Sequence, residues 1–173
     1  MARAGCGVCI NYYSSADEAE ALGLELEELG VRSFTFQADV TDLAAVKEMF
    51  EAVREEFGGL DILISNAASG VLRPAMEMTT KHWRWCLETN ALALNHLVQE
   101  AKPLMAPGSR VLALSSLGAH RAIPEYAFIG ASKAALESLV RSLSLELVPA
   151  GISVNTISAG VVDTDAIKHF PNR

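Results

Sequence analysis

The sequence predicts an α/β fold with a parallel sheet, and three observations lead to this prediction. Short runs rich in β-branched residues alternate with helical stretches along all 173 residues. The run from Leu60 to Ser65 is almost continuously apolar, which is typical of a parallel strand covered on both faces. Hydrophobic residues make up 50% of the chain and charged residues 20%. Because this is a globular composition, we expect one domain over residues 1–173.

In the first half of the chain, predicted strands and helices alternate. Residues 7–12 form the first strand. Residues 16–29 form a helix, because leucines recur there at helical spacing among acidic residues, and Gly30 ends it. Residues 31–38 alternate in polarity and form the second strand. Asp42 then caps a helix with apolar residues on one face.

The second half continues the alternation after the apolar strand at 60–65. We predict a long helix over residues 79–105 and a strand over 110–115. A further helix follows at 132–148, and a last strand at 152–157. Each strand is separated from the next by a helix, as parallel pairing requires.

The start of the chain departs from the usual form of such a sheet. A Rossmann fold begins with a strand, a Gly-rich turn and a helix whose N-terminus receives the pyrophosphate of a dinucleotide. Only four residues precede the Gly5-x-Gly7 pair, and residues 1–5 look like the end of that first helix. We therefore predict an incomplete Rossmann-like, doubly wound parallel sheet, with a gap or an exposed edge where the first strand would lie.

Charge and composition argue against several classes of protein. The net charge is −7, so we expect no nucleic-acid partner. No run of about 18 apolar residues is present, so we expect no membrane span. With three cysteines and no secretory signal, we expect a cytoplasmic protein. The four histidines lack metal-ligand spacing, so we expect no metal site.

Cys6 and Cys9 form a C-x-x-C pair, a spacing that also occurs in redox sites. The segment around Cys9 is predicted as a strand, and strand residues three apart point to opposite faces. We interpret both cysteines as small apolar residues.

Tyr126 and Lys133 stand seven positions apart, close to the start of a predicted helix. A tyrosine and a lysine on one helix face form a proton-donating pair. The ammonium makes a nearby phenol a better acid and can also hold a bound ribose.

This motif resembles the short-chain dehydrogenase/reductase family. The ordinary family pattern would place the tyrosine at position 129, which is Ile129 here. The Tyr-x6-Lys spacing and the segment 117–126 resemble instead the enoyl-[acyl-carrier-protein] reductase branch, of the NADPH-dependent type III kind. The resemblance covers nearly all of the chain but only part of a family member. It implies truncation at both ends, without the first strand, its Gly-rich loop and the C-terminal elements.

The resemblance implies three catalytic residues. Tyr126 would hydrogen-bond the carbonyl of a thioester and stabilise the enolate formed on reduction. Lys133 would bind the cofactor ribose and keep Tyr126 acidic. Ser116 stands ten residues before Tyr126, where related enoyl reductases carry a second tyrosine.

The resemblance also implies residues that bind the adenosine half of a cofactor. Asp39 would accept from the adenine amino group, and Val40 would pack on the ring. Taken alone, an aspartate before a helix, such as Asp39, is more often a residue of the N-cap region. The segment 65–68 resembles the Asn-Asn-Ala-Gly signature of the family, in which Asn66 holds the turn and Ala67 leaves the backbone open to the nucleotide.

Four further residues are implied near the nicotinamide. Asn90 matches an asparagine that kinks the long helix and holds a water for proton transfer, although a mid-helix asparagine could also lie on a solvated face. Gly160, Val162 and Thr164 lie in the loop that meets the nicotinamide. The Val162 backbone would bond the carboxamide and Thr164 would cap it.

The cofactor is expected to be NADPH rather than NADH. An acidic residue after the first predicted strand would bind a ribose 2′-hydroxyl and repel a 2′-phosphate. The segment 11–15 contains none, and Asp17 is the first acidic residue beyond it.

The sequence therefore predicts an enoyl-thioester reductase of fatty-acid synthesis, with an acyl thioester, possibly on an acyl carrier protein, as substrate. A short-chain alcohol or ketone dehydrogenase is one alternative, disfavoured by Ile129. A non-catalytic fragment without a phosphate-binding loop is another, and we expect the chain alone to be inactive. A hydrolase using Ser116 and His120 would lack the Gly-x-Ser-x-Gly elbow.

The resemblance also carries an expectation about assembly. Family members form tetramers partly through the two long helices, predicted here at 79–105 and 132–148. Both carry apolar residues on more than one face. We expect a homotetramer for a full-length form, and a dimer or an aggregate for the chain as given.

Overall fold

The computed structural model of the protein describes residues 1–160. The chain divides into two compact units, and the division falls between Leu60 and Asp61. Each unit carries its own parallel sheet, and one domain over residues 1–173 stays a prediction. Within residues 1–160, every helix is too short or too polar to cross a bilayer.

The first unit alternates strands and helices close to the predicted bounds. In chain order its elements are a 3₁₀ turn Ala2–Ala4, β1 Val8–Tyr12, α1 Ala16–Glu28, β2 Ser33–Gln37 and α2 Leu43–Phe57. β1 and β2 are parallel, with Val8 opposite Ser33. The Asn11 side chain donates to the carbonyl oxygens of Phe36 and Ala38, at 3.3 and 3.0 Å. This extends the pairing of the two strands beyond their backbone bonds.

Helix α2 shows why the local sequence folds as predicted. The Asp42 carboxylate accepts from the backbone N–H groups of Ala44 and Ala45, which satisfies two donors that the first helical turn leaves open. The helix ends at Gly58, whose φ of 77° is left-handed and favours glycine. One face is buried, and it comprises Val46, Met49, Phe50 and Val53.

Over residues 61–160, the second unit carries a three-stranded sheet and four longer helical segments. Its strands are β3 Ile62–Ser65, β4 Arg110–Ser116 and β5 Ser153–Ala159. Its helices are α3 Thr80–Leu87, a π-helical turn Glu88–Leu92, α4 Ala93–Ala101 and α5 Ala127–Leu147. Single 3₁₀ turns occur at Ala75–Glu77, Lys102–Leu104, Leu117–Ala119 and Val148–Ala150.

The three strands of this sheet are all parallel, in the order β3-β4-β5. The central strand buries Val111 and Ala113, each with 0% exposure. Side chains from α4, α5 and β5 pack around them, among them Leu94, Val98, Leu136, Val140, Leu143, Leu147 and Val154. The predicted α/β class with parallel sheets is confirmed, and two separate sheets agree with an incomplete doubly wound sheet.

Two predicted helices differ from the structure. The long helix at 79–105 is interrupted by the π-helical turn Glu88–Leu92, which contains Asn90; the kink expected at Asn90 stays a prediction. Helix α5 begins at Ala127, five residues before the predicted start at Ser132. The prediction was wrong because Gly130 lowers local helix propensity, whereas in the structure this first turn packs against the loop after β4.

Candidate functional site

The candidate site lies at the carboxyl edge of the second sheet. Because the strands are parallel, their carboxyl ends lie at one edge, where α/β sheets bind ligands. β3 ends at Ser65, β4 at Ser116 and β5 at Ala159, and Ser116 pairs with Ala159 in register. The predicted catalytic serine is thus the last residue of the central strand.

Tyr126 meets Ser116 at this edge. The Tyr126 hydroxyl donates to the Ser116 Oγ at 3.3 Å, and the same oxygen accepts from the backbone N–H of Gly118 at 3.2 Å. Tyr126 is the N-cap of α5, and its carbonyl accepts from Gly130 at 2.7 Å. The structure therefore brings two predicted catalytic hydroxyls together and places the phenol at a fixed helix end.

Two glycines allow close packing beside Tyr126: Gly118 leaves room for the tyrosine ring, and Gly130 leaves room for the backbone of Gly118. A Cβ atom on Gly118 would lie 2.5 Å from the Cδ1 and Cε1 atoms of that ring. A Cβ atom on Gly130 would lie 2.6 Å from the Gly118 carbonyl oxygen. Sequence reasoning did not single out this pair, although a glycine inside a helix, as at Gly130, signals a close approach.

The residue before the tyrosine has an unusual backbone. Glu125 has a φ of 59°, a left-handed conformation that costs energy for any residue with a Cβ. Its carbonyl accepts from the backbone N–H of Arg73 at 3.0 Å. This bond helps to hold the chain as it enters α5 at Tyr126. The sequence carries no signal for it, since asparagine or glycine is usual in this conformation.

Lys133 is buried on α5, with 6% of its surface exposed. Its ammonium donates to the Leu114 carbonyl of β4 at 2.7 Å. Burial lowers the pKa of the Lys133 ammonium from its ordinary value. An ammonium has three donors, and within residues 1–160 one is used. The remaining donors are available for the predicted ribose contact.

Asn90 is buried, with 2% exposure, which rules out a solvated helix face. Its Nδ2 donates to the Ser69 carbonyl at 2.8 Å and to the Ser132 Oγ at 2.9 Å. Its Oδ1 accepts from the Ser69 N–H at 2.7 Å. The asparagine thus joins the π-helical turn both to α5 and to the segment after β3. The predicted water contact of Asn90 stays a prediction.

The turn after β3 is held differently from the prediction. Asn66 and Ala67 are exposed, and across the described part of the chain the Asn66 side chain makes no hydrogen bond. The prediction that Asn66 holds its own turn was wrong, because the bonds that fix this segment come from Asn90 instead. The cofactor contacts of Asn66 and Ala67 stay predictions.

Ile129 stands where the ordinary family pattern has its tyrosine, and it is packed tightly. A Cβ atom on Gly70 would lie 2.3 Å from the Ile129 Cγ1 and 3.3 Å from the Cys86 Sγ. Hydrocarbon therefore fills the space beside the segment after β3. This position has no hydroxyl with which to move a proton.

Asp39 and Val40 lie in the first unit. The Asp39 Oδ1 accepts from the backbone N–H of Thr41 at 2.9 Å and from its hydroxyl at 2.7 Å. Asp42 caps α2, and its backbone N–H donates to the Asp39 carbonyl at 3.0 Å, so Asp39 lies in the N-cap region of that helix. Val40 is buried, with 6% exposure. The adenine contacts of both residues stay predictions.

The nicotinamide loop is described only at its start. Gly160 follows β5, and a Cβ atom there would meet nothing within 4 Å. Val162 and Thr164 lie outside the described residues.

Over the described residues, neither the cysteines nor Ser116 has the surroundings that redox or hydrolase chemistry would need. Cys6 and Cys9 are both free thiols, and burial raises the pKa of Cys9 to about 11, which opposes thiolate chemistry. In the described part of the chain, the Ser116 hydroxyl bonds Tyr126 and Gly118 and not His120. Among residues 1–160, no group of three His, Cys, Asp or Glu side chains could hold a metal ion.

A tyrosine, a serine and a buried lysine at the carboxyl end of one parallel strand form the kind of site found in oxidoreductases with a dinucleotide cofactor. A family model described as "Enoyl-(Acyl carrier protein) reductase" matches residues 1–173. The chain belongs to the short-chain dehydrogenase/reductase family. Its characterised relatives are oxidoreductases.

Two curated relatives are informative. The chain is 38% identical over 172 residues to 1-cyclohexenylcarbonyl-CoA reductase of Streptomyces collinus, covering 99% of the chain and 61% of that protein. It is 34% identical over 169 residues to the 3-oxoacyl-[acyl-carrier-protein] reductase FabG of Staphylococcus aureus, covering 95% of the chain and 68% of that protein. The chain therefore spans less than two thirds of the first of these relatives.

Two solved structures share the fold. A short-chain dehydrogenase/reductase from Serratia marcescens has a TM-score of 0.91 at 31% identity, covering 95% of this chain and 68% of that one. A short-chain dehydrogenase from Burkholderia cenocepacia, in complex with NADP, has a TM-score of 0.87 at 34% identity. It covers 95% of this chain and 67% of that one. The predicted family and fold are confirmed.

Proposed function

We propose that this chain carries the catalytic centre of an NADPH-dependent reductase that saturates the double bond of a 2-enoyl thioester. The observation that carries the proposal is the hydrogen bond that the Tyr126 hydroxyl donates to the Ser116 Oγ, at 3.3 Å. This contact gives the Tyr-x6-Lys motif a positioned proton donor. Ile129, where a ketone reductase of the family would have its tyrosine, offers only hydrocarbon packed near Gly70.

The relatives support the thioester part of the proposal. The S. collinus relative, at 38% identity, is named for a CoA thioester whose double bond adjoins the carbonyl. The matching family model is described by an acyl carrier protein. Both are acyl thioesters, so the proposed substrate class is a 2-enoyl thioester on coenzyme A or on an acyl carrier protein.

The residues at the carboxyl edge fit a nicotinamide cofactor. Among residues 1–160, the buried Lys133 ammonium keeps donors beyond its bond to Leu114, as a ribose contact needs. Ala67 is exposed and small, and Gly160 has open space beside it, so both leave backbone accessible to a ligand. NADPH is favoured because no acidic side chain occurs in residues 11–15. The B. cenocepacia relative was solved with NADP.

When bound, NADPH would supply a hydride for the β-carbon of the substrate and leave as NADP⁺, and the resulting enolate would take one proton, supplied by Tyr126, to complete the saturated thioester. Tyr126 donates a hydrogen bond to the thioester oxygen and stabilises the negative charge that develops there. Ser116 orients the Tyr126 hydroxyl. Lys133 holds the ribose and keeps a positive charge on the same helix. Asn90 fixes the segment after β3 through Ser69.

Reduction of a ketone is the second candidate function. It is favoured by FabG at 34% identity, which is named for 3-oxoacyl reduction, and by the presence of Ser116 beside the tyrosine. A serine and a tyrosine hydroxyl together can bind a ketone oxygen, so the two candidates differ in substrate rather than in the groups that they use.

The test compares two substrates in one assay. The extended chain, defined as residues 1–173 joined to the terminal segments that the S. collinus relative has beyond the matched region, is supplied with NADPH. Absorbance follows its oxidation with crotonyl-CoA or acetoacetyl-CoA. We expect kcat/KM to favour crotonyl-CoA by about tenfold or more. A preference for acetoacetyl-CoA would support the ketone reductase instead, and no oxidation with either would reject both.

A further inference from the structure

A buried carboxylate lies behind the candidate site, and the mechanism above does not use it. Glu137 on α5 is 8% exposed, and its two oxygens accept from different partners. The Ser115 hydroxyl donates to Oε1 at 2.6 Å. The His120 Nε2 lies 2.7 Å from Oε2. Burying a carboxylate is costly unless it is paired and hydrogen-bonded, and here both oxygens have partners.

The two partners flank the residues that contact Tyr126. Ser115 immediately precedes Ser116, and His120 directly follows the 3₁₀ turn Leu117–Ala119. Ser116 and Gly118, which touch the tyrosine, lie between them. One carboxylate on α5 therefore holds both ends of the segment 115–120.

Three consecutive residues at the end of β4 are bonded to α5 or its N-cap. Lys133 donates to the Leu114 carbonyl, Glu137 accepts from Ser115, and Tyr126 donates to Ser116. Glu137 lies four residues after Lys133, so the two side chains share a helix face. The first and third of these bonds involve proposed catalytic residues, and the second aligns the strand end between them.

We propose that Glu137 is a positioning residue: with Ser115 and His120 it clamps the segment 115–120 onto α5 and so sets the Ser116 hydroxyl against Tyr126. The inference rests on the proposed reductase function. An apolar side chain would fill this position without the desolvation cost of a carboxylate. The paired acid instead fixes the direction in which the segment leaves the strand.

The test begins with His120, because its side chain is 65% exposed and its removal disturbs little packing. In the extended chain, His120→Ala should lower kcat about fivefold to tenfold, while KM for NADPH stays within about twofold. His120→Gln, which retains an N–H donor, should restore much of the loss. Arg121→Ala, at the next and also exposed position, is the matched control and should leave kcat unchanged.

A double-mutant cycle separates positioning from general damage. If His120 acts through Ser116, then His120→Ala should have little further effect on kcat in a Ser116→Ala background. Independent contributions would multiply, and that result would overturn the clamp. Equal effects of His120→Ala and Arg121→Ala would overturn it as well.

Hydrogen exchange on the 173-residue chain tests the clamp without substrate. His120→Ala should speed exchange of the Gly118 amide, which bonds the Ser116 Oγ, and leave α2 amides unchanged. Unchanged Gly118 exchange overturns the clamp even if the reductase is active. An extended chain that reduces neither test substrate overturns the proposed function and the catalytic part of this inference, whatever the exchange shows.

Discussion

At the scale of single residues, the most direct prediction concerns the hydroxyl of Tyr126. Tyr126→Phe keeps the ring beside Gly118 but removes the hydroxyl that contacts Ser116. In the extended chain we expect kcat to fall about 100-fold, since only the proton donor is lost. NADPH binding, followed by fluorescence titration, should stay near the parent value. Lys133→Ala should weaken that binding as well, and an unchanged rate for Tyr126→Phe would remove the tyrosine from the site.

Lys133 predicts a pH dependence of stability. Burial lowers the pKa of its ammonium in the folded protein, whereas the unfolded chain titrates near the ordinary value of about 10.4. Between these two pKa values the unfolded chain binds more protons, so stability rises with pH through that window. The gain in stability from burying a neutral amine instead of an ammonium is complete above about pH 10.4. It is lost as pH falls through the pKa of Lys133 in the folded protein.

Thermal melting of the parent and of Lys133→Met checks this sign. The methionine variant has no ammonium to desolvate. The parent Tm minus the variant Tm should therefore increase as pH rises from neutral to about 10.4. The variant also lacks the hydrogen bond to the Leu114 carbonyl, and this loss adds a constant term to the Tm difference. A difference that stays constant with pH would contradict the prediction.

At the scale of elements, the loop after β4 packs directly against the start of α5. Gly118→Ala would place a Cβ atom 2.5 Å from the Tyr126 ring, so the ring or the 3₁₀ turn must move. We expect kcat of the extended chain to fall about tenfold or more, because an ångström of misplacement at a reacting group is costly. Gly23→Ala on α1 is the control, since its Cβ would meet only Thr35 at 3.9 Å. Equal rates for both variants would contradict the prediction.

The same elements show what the sequence could and could not predict. Strands and the Asp42 cap follow from local patterns, and an irregularity of the long helix at Asn90 follows from the family resemblance. The bonds of Asn90 to Ser69 and Ser132 could not be predicted, because they join residues 21 and 42 positions apart. The early start of α5 was missed for a related reason, since contact with a distant loop outweighs the low propensity of Gly130. The strained Glu125 depends likewise on a backbone partner elsewhere in the chain.

For the whole molecule, the first prediction concerns activity. We expect the 173-residue chain alone to oxidise NADPH with crotonyl-CoA at no measurable rate, and the extended chain to do so readily. The reason is the pyrophosphate, which relatives of this fold hold with backbone donors at a helix N-terminus after a Gly-rich turn. Near its start this chain has only Gly5-x-Gly7, preceded by the 3₁₀ turn Ala2–Ala4. A family-like rate from the 173-residue chain would contradict this.

Association is the second prediction at this scale. Several leucines of α4 and α5 are buried, Leu94, Leu97 and Leu136 among them. Leu92 in the π-helical turn remains 48% exposed and lines an apolar groove with Trp83 and other side chains of α3 and α5. An exposed apolar groove between α5 and the segment formed by α3 and the π-helical turn favours self-association. We therefore expect the chain to be a dimer at tens of micromolar.

Light scattering on purified protein tests this with two variants. Leu92→Glu places a charge in the groove and should yield a monomer, because an unpaired buried charge opposes association. Leu145→Glu adds the same charge to α5 at a position that is 78% exposed and outside the groove, so it should stay dimeric. A parent chain that is monomeric would show that the groove does not drive association. Large particles from all three proteins would point instead to pairing at the open strand edges.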